Sequence, residues 1–423
     1  MTQGPRRKPW AFFVGDHATM LAMLAMLAMS AMLAMSARFL LCFFLAALAG
    51  DLAAQTAAIA RPRIGLVLAG GGARGLAHVG VLKVLEAERV PIDVIAGTSM
   101  GAIVGGLYAS GMSPTELERE LLKVDWSSVF TARVDRQYLA QRRKEEDFEI
   151  SSLIELGIRD GELRTPTGAV SMRGLESLLR RYTLPVRAVQ DFARLPIPFR
   201  AVTTDLETGA EVVLSSGDLA LALRSSMSVP GVFPPTEVDG RVLGDGGLVN
   251  NVPVDVARAM GADILIVVNI GTPLAARDSL NSVLGVTTQM INILTGQNVL
   301  RNLATLKSRD VLVSPALGKL GPGDFEVVAE AIANGAQVAL PRLQSLTVTP
   351  EVYAQRRAEH PKLRRPEATV GFISFEGSTQ THAARFVAQL ESQPGQPFSV
   401  RAAERDARSL AATRTSYAPT TVW

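Results

Sequence analysis

Between positions 63 and 111 the chain runs twice through one local rhythm, and this narrows the fold more than any bulk property does. Arg63-Ile64-Gly65-Leu66-Val67-Leu68-Ala69 is a short apolar run, the pattern of a parallel strand buried on both faces. Gly70-Gly71-Gly72-Ala73-Arg74-Gly75 follows it. Leu76–Arg89 then reads as a helix, with Leu76, Val79, Leu82, Val84 and Leu85 on its apolar side. Pro91–Gly97 is a second strand. Ser99–Ser110 is a second helix, Gly/Ala-rich at its start and ended by Gly111. Strand, tight glycine turn and helix, taken twice, predict an α/β sheet with helices on its faces.

The same reading continues downstream. Strands are expected at 199–204, 211–214, 241–244, 263–269 and 310–314. Helices are expected at 114–124, 171–181, 218–226, 253–260, 275–306 (with an interruption) and 323–342. Residues 141–161 carry no clear pattern. Residues 343–368 are polar and hold Pro350, Pro361 and Pro366, which reads as a linker. Beyond it a strand at 370–377, a helix at 382–391, a turn at Pro394-Gly395 and a helix at 402–412 make a second, small α+β unit. The expected domains are therefore a leader (1–60), a main domain (61–342), the linker (343–368) and the small unit (369–423).

The first 60 residues differ from the rest. Residues 18–36 form a low-complexity Ala/Met/Leu tract with a period of three over much of its length. Arg38 then precedes the apolar run Phe39–Ala49. With a start at Met35 this is a compact secretory signal cleaved within 50–60; the alternative is a single anchor over 18–50. Cys42, the one cysteine, lies in that run and is followed by Phe43, which argues against a lipoprotein cysteine. A processed chain has no cysteine, which excludes disulfides and thiol catalysis. The 43 basic and 40 acidic residues leave a net charge of +3, with no Lys/Arg stripe interleaved with aromatics. A nucleic-acid partner is not expected. No metal-ligand spacing is visible.

Two short motifs carry chemistry. Gly97-Thr98-Ser99-Met100-Gly101 sits between strand and helix, the nucleophile-elbow pattern. Such a turn pushes the serine hydroxyl out at a helix N-terminus, where developing negative charge is favoured. The bland alternative is a helix packed tightly on the sheet. The second motif is Gly70-Gly71-Gly72 with Arg74 and Gly75, whose backbone N–H groups can line one concavity for an oxyanion or phosphate. A dinucleotide reading fails, because no acidic residue ends the second strand. Arg74 can orient the glycine loop, meet a lipid phosphate or make a structural ion pair.

Ser99 needs a base. Of the four histidines (His17, His78, His360 and His382), only His78 lies in the main domain, on the helix after the glycine loop, where packing is the simpler role. Asp245, in Gly244-Asp245-Gly246-Gly247-Leu248-Val249-Asn250-Asn251-Val252-Pro253, is the best candidate. A glycine-rich turn can bring its carboxylate beside a serine, and burial can raise its basicity. An Asx turn is the structural alternative. Asp205 and Asp239 are lesser rivals.

In identity, order and wide spacing, Gly70–Gly75, Gly97–Gly101 and Asp245-Gly246-Gly247 resemble the patatin-like phospholipases. Leu223–Pro235, reading LRSSMSVPGVFPP, is similar to a further segment of that family. The resemblance is close over about 63–272 and looser to about 340. It implies a three-layer α/β/α domain and a Ser99–Asp245 dyad that works without histidine. It places Gly70, Gly71, Gly72 and Arg74 at the oxyanion hole, with Gly75, Gly97, Gly101, Gly246 and Gly247 supporting the motifs. The implied reaction cleaves fatty-acyl esters of phospholipids through an acyl-enzyme, as a phospholipase A or lysophospholipase, with no cofactor or metal. A broad carboxylesterase or triacylglycerol lipase would use the same dyad. A non-catalytic envelope protein that kept the fold is the third reading, and loss of Ser99 or Asp245 would mark it; both are present.

Residues 369–423 are similar to the start of a POTRA module, which in secreted bacterial members of that family precedes an outer-membrane β-barrel. Here the chain stops at Trp423 with the module unfinished, which reads as a truncated frame in preference to a separately encoded barrel or to self-contained export of a soluble lipase. The expected partners are a lipid ester, a membrane surface and, by analogy with secreted members, a second copy of the chain. The expected location is outside the inner membrane: periplasm, outer membrane or secreted.

Overall fold

The protein is seen in a computed structural model that describes residues 20–30, 32, 35, 61–130, 157–159, 162–164, 168, 170–271, 273–338, 343–359, 369–373 and 387–412. It divides into two units, Met1–Arg61 and Pro62–Trp423. In the first, residues 20–30 are helical; the expected signal run Phe39–Ala49 lies outside the described residues. Among the described residues no helix is long and apolar enough to cross a membrane.

The second unit is built on strands β1 (Ile64–Leu68), β2 (Val94–Thr98), β3 (Gly157–Arg159), β4 (Glu162–Arg164), β5 (Phe199–Asp205), β6 (Glu211–Leu214), β7 (Thr236–Val238), β8 (Arg241–Asp245), β9 (Ile264–Val268) and β10 (Val311–Val313). Eight of them form one sheet in the order β10-β9-β1-β2-β5-β8-β7, with β6 on β5; β3 and β4 form a separate hairpin. The run from β10 to β5 is parallel, and β6, β7 and β8 are antiparallel to their neighbours. Every residue of β1, β2 and β9 is buried. Their unbroken apolar sequences therefore need cover on both faces, which is why no alternation is seen in them.

That cover comes from α1 (Ala77–Ala87), α2 (Met100–Ala109), α3 (Pro114–Leu121), α4 (Arg173–Thr183), α5 (Leu219–Ser226), α6 (Val254–Ala259), α7 (Val283–Leu303) and α8 (Val328–Ala336), joined by α9 (Pro350–Glu359) and α10 (Val400–Ala412). The glycine content of α1, α2 and α8 sets how closely they approach. A Cβ on Gly105 of α2 would meet Ile95, Leu68 and Phe199, from β2, β1 and β5. A Cβ on Gly335 of α8 would lie 2.0 Å from the Ala77 carbonyl of α1, so those helices touch backbone to backbone.

Strand positions follow the expected ones, with three additions: the hairpin of Gly157–Arg159 and Glu162–Arg164, and Thr236–Val238, which pairs with β8 as a hairpin whose turn is Asp239-Gly240. The linker expectation for 343–368 needs correction. Residues 350–359 are helix, with Pro350 at the first turn, where a missing N–H is no loss. This helix is tied back to the main domain by Arg356–Asp93 at 3.2 Å and Arg357–Glu86 at 3.4 Å. Of the small C-terminal unit, Thr369 makes an isolated bridge to Pro397, and α10 begins at Val400. The described part of the expected 370–377 strand, residues 370–373, is not in a strand, and of the expected 382–391 helix only residue 387 is helical among 387–391; residues 374–386 lie outside the described residues.

Candidate active site

Ser99 caps the N-terminus of α2 immediately after β2, with φ 54° and ψ −125°. This is a region that L-residues rarely enter and that marks a site held under strain by its surroundings. The surroundings are visible. A Cβ at Gly101 would sit 2.2 Å from the Leu68 carbonyl, so the first turn of α2 lies directly on β1. Ser99 N–H donates to Ser226 Oγ at 2.8 Å, and Ser226 Oγ donates on to the Val202 carbonyl at 2.5 Å. Thr98 Oγ1 donates to the Asn250 carbonyl at 2.8 Å. The elbow is thus fastened on three sides.

Asp245 is the last residue of β8. Its main-chain N–H donates to the Ser228 carbonyl at 2.8 Å, and its carbonyl accepts from Thr204 Oγ1 at 2.8 Å. Ser99 Oγ donates to Asp245 Oδ2 at 2.6 Å, and Gly247 N–H donates to Asp245 Oδ1 at 2.7 Å. Asp245 therefore closes an Asx turn with one carboxylate oxygen and accepts from the Ser99 hydroxyl with the other. Burial raises the Asp245 pKa to about 6, against the lowering effect of the Ser99 and Gly247 hydrogen bonds. A carboxylate lifted to that value is a far better proton acceptor than an exposed one, yet it stays ionised at neutral pH.

The glycine loop closes over this pair. An added Cβ on Gly70 would lie 2.9 Å from Ser99 Cβ. Gly72 has φ 58°, and a Cβ there would lie 2.2 Å from the Pro322 carbonyl; that carbonyl also accepts from Ala73 N–H at 2.8 Å. The Gly70 N–H donates to the Asn251 carbonyl at 3.2 Å. Among the described residues, the N–H groups of Gly71 and Gly72 have no acceptor. Arg74 is buried. Its guanidinium donates to the carbonyls of Ile270 (3.0 Å), Gly271 (2.6 Å) and Leu320. Of the four groups expected at an oxyanion hole, Gly70 and Arg74 thus have their donors engaged elsewhere: they fasten the loop, and Gly71 and Gly72 are the ones left open. The Arg74 guanidinium thus orients the glycine loop through main-chain carbonyls.

His78 is fully buried, with Nε2 at 2.8 Å from the Ala69 carbonyl, and burial lowers its pKa to about 4. It is a neutral strut under the glycine loop. Asp205 closes its own turn, accepting from Glu207 N–H at 2.9 Å, and Asp239 occupies the β7–β8 turn.

Two asparagines complete the site. Asn251 Nδ2 donates to the Gly70 carbonyl at 3.2 Å, which ties the glycine loop to the Asp-Gly-Gly turn. Asn298 of α7 accepts from Asn251 N–H at 3.0 Å and donates to the Gly247 carbonyl at 2.9 Å. Neither stood out in the sequence. Asn251 sits inside the quoted Asp245–Pro253 motif, whereas Asn298 carries no local signal.

Residues 66–258 match the family model described as patatin-like phospholipase. A patatin-like phospholipase domain-containing protein of Caenorhabditis elegans is 36% identical over 215 residues, which is 49% of this chain and 14% of that protein. An uncharacterized NTE family protein of Mycobacterium tuberculosis is 35% identical over 209 residues, 49% of each chain. Patatin-like phospholipase domain-containing protein 6 of Mus musculus is 33% identical over 211 residues, 49% of this chain and 14% of that protein. The chain therefore spans about half the length of the mycobacterial relative and 14% of the other two. Among solved structures, VipD from Legionella pneumophila superposes with a TM-score of 0.35 at 16% identity, over 71% of this chain and 67% of that one, too loosely to bear on function. The matched segment, residues 66–258, contains the glycine loop, the elbow and the Asp-Gly-Gly turn, and over that span the chain is similar to a patatin-like phospholipase domain.

Proposed function

We propose that this protein cleaves fatty-acyl esters of phospholipids, as a phospholipase A or lysophospholipase, with Ser99 as nucleophile and Asp245 as its base. The observation that carries the reading is the 2.6 Å hydrogen bond from Ser99 Oγ to a buried Asp245 carboxylate, with no histidine between them. Asp245 takes the hydroxyl proton as Ser99 Oγ bonds to the ester carbonyl carbon. The oxyanion that forms is held by the Gly71 and Gly72 N–H groups and by the N-terminal end of α2. The tetrahedral centre collapses, the alcohol leaves with the proton from Asp245, and the acyl group stays on Ser99. A water then gives its proton to the same carboxylate and attacks the acyl carbon; as the bond to Ser99 Oγ breaks, Asp245 returns the proton to Ser99 and the fatty acid leaves. Gly247 N–H holds the far carboxylate oxygen throughout, so the base does not rotate away between steps.

The resemblance in the sequence favours phospholipid over neutral lipid, and an exported location follows from the Arg38–Ala49 signal pattern. The partial POTRA-like module remains part of this reading. The test is fatty-acid release by the purified chain from a diacyl phospholipid, its lyso form and a triacylglycerol, beside folded Ser99→Ala and Asp245→Asn. Release from phospholipid that both substitutions abolish supports the proposal. Release from triacylglycerol alone replaces it with a lipase, and turnover by a folded Ser99→Ala chain overturns the dyad.

A further inference from the structure

Helix α7 is inverted. Its inward side is polar: Thr295 Oγ1 and Asn298 Nδ2 donate to the Gly247 carbonyl, and Asn302 Nδ2 donates to Asn250 Oδ1 at 2.7 Å and to the Val252 carbonyl at 3.1 Å. Its outward side is mainly apolar, interrupted by exposed Gln297 and Arg301. Val286, Met290, Ile293, Leu294 and Leu300 are 42% to 72% exposed. Their spacing of three, four and seven residues puts them along one stripe. Leu274, just upstream, is 60% exposed. A helix of an ordinary globular domain turns such a stripe inward, and an exposed row of large aliphatics marks an interaction surface.

Charge narrows the occupant. From 274 to 309 the chain carries four cations, Arg277, Arg301, Lys307 and Arg309, against the single acid Asp278. The helix itself has no carboxylate and carries Arg301 in its last turn. An aliphatic stripe with cations at its margin suits a surface whose interior is hydrocarbon and whose face is anionic. The inward side of this same helix holds the Asp-Gly-Gly turn and, through Asn251, the glycine loop. Whatever the stripe rests on is brought to the dyad's own neighbourhood. We propose that α7 docks the protein on an anionic phospholipid bilayer, its aliphatic stripe entering the headgroup boundary. This rests on the lipid-ester reading above, but its test does not need catalysis.

The experiment measures co-sedimentation of the full chain, made inert by Ser99→Ala, with vesicles of phosphatidylcholine and of phosphatidylcholine mixed with phosphatidylglycerol. Met290→Asp with Leu294→Asp, both at exposed positions, is expected to weaken partition to the anionic vesicles by about tenfold or more. Met290→Leu with Leu294→Ile is expected to retain it. In the Ser99 chain, the aspartate pair is expected to lose hydrolysis of vesicle phospholipid while keeping turnover of a soluble short-chain ester. Binding that the aspartate pair leaves unchanged overturns the proposal. So does a chain that ignores vesicles but is a dimer that the aspartate pair dissociates, since a second copy then covers the stripe. Equal binding to both vesicle types overturns the anionic surface. Loss of soluble-ester turnover in Ser99→Ala alone reports only on the dyad.

Discussion

Thr98 and Asp245 occupy consecutive places on one edge of β5: Thr98 pairs with Val202, and Asp245 with Thr203. The opposite edge at both positions belongs to β6, which pairs with Val202 through Val213 and with Thr203 through Val212. β2 and β8 therefore abut end to end along β5, one parallel to it and one antiparallel. Ser99, the next residue after Thr98, has nowhere to go but out of the sheet beside Asp245. The Ser99–Asp245 hydrogen bond is a product of strand register.

The raised pKa of Asp245 fixes the pH dependence of activity. The base works ionised, so kcat/KM toward a soluble ester should rise through an apparent pKa of about 6 and level off above it. Asp245→Asn should lower kcat by about a thousandfold or more, because the amide keeps the geometry and loses the proton acceptor. His78→Asn should keep the acid limb in place, since His78 is neutral with a pKa of about 4. A limb that disappears with His78 would reassign the titrating group.

The same shift is a stability effect of opposite use. The folded pKa of Asp245 lies above its unfolded value, so the folded state holds more protons between about pH 4 and 6. Stability is therefore lost as pH rises through that window. Asp245→Asn removes the penalty. It should stabilise the chain by on the order of 3 kcal/mol at pH 8 and little at pH 4, read by urea unfolding at both pH values.

Strain at Ser99 is open to a paired comparison. Ser99→Ala and Ser99→Gly both lose the hydroxyl, and only glycine adopts φ 54° freely. Ser99→Gly should be the more stable of the two by about 1 kcal/mol in chemical denaturation. Equal stabilities would mean the elbow relaxes without its Cβ constraint.

Asn251 and Arg74 should separate by readout. Asn251→Ala unties Gly70 from the Asp-Gly-Gly turn and should lower kcat about ten- to a hundredfold with little change in KM for a soluble ester. Arg74→Met leaves the Ile270, Gly271 and Leu320 carbonyls without their donor. It should destabilise the fold by about 2–3 kcal/mol, seen as a lower urea midpoint.

The parts of this site that were legible in the sequence are those whose backbone demands are local. An apolar run between glycine turns announces a buried strand, and Gly97–Gly101 announces the elbow, because only glycine lets α2 lie on the Leu68 carbonyl. Asn298 was silent, since its role depends on a helix arriving from 47 residues beyond Asn251. α9 was read as linker because its prolines look like breaks, whereas Pro350 begins the helix. The stripe on α7 was missed for a related reason: its core side carries Thr and Asn, so the periodicity has the sign opposite to the one that marks a core helix.

Register has a consequence for how the chain tolerates change. Because β5 alone measures the gap between the proposed nucleophile and base, the chain between Ser99 and Asp245, 146 apart in sequence, can lengthen or shorten in its connections without touching that gap. A single residue added inside β8 between Leu243 and Asp245 would instead turn the carboxylate to the other side of the sheet. Indels should thus be silent in connections that do not touch the site and lethal within β2, β5 and β8, a map that a random-insertion screen scored on ester turnover would draw directly.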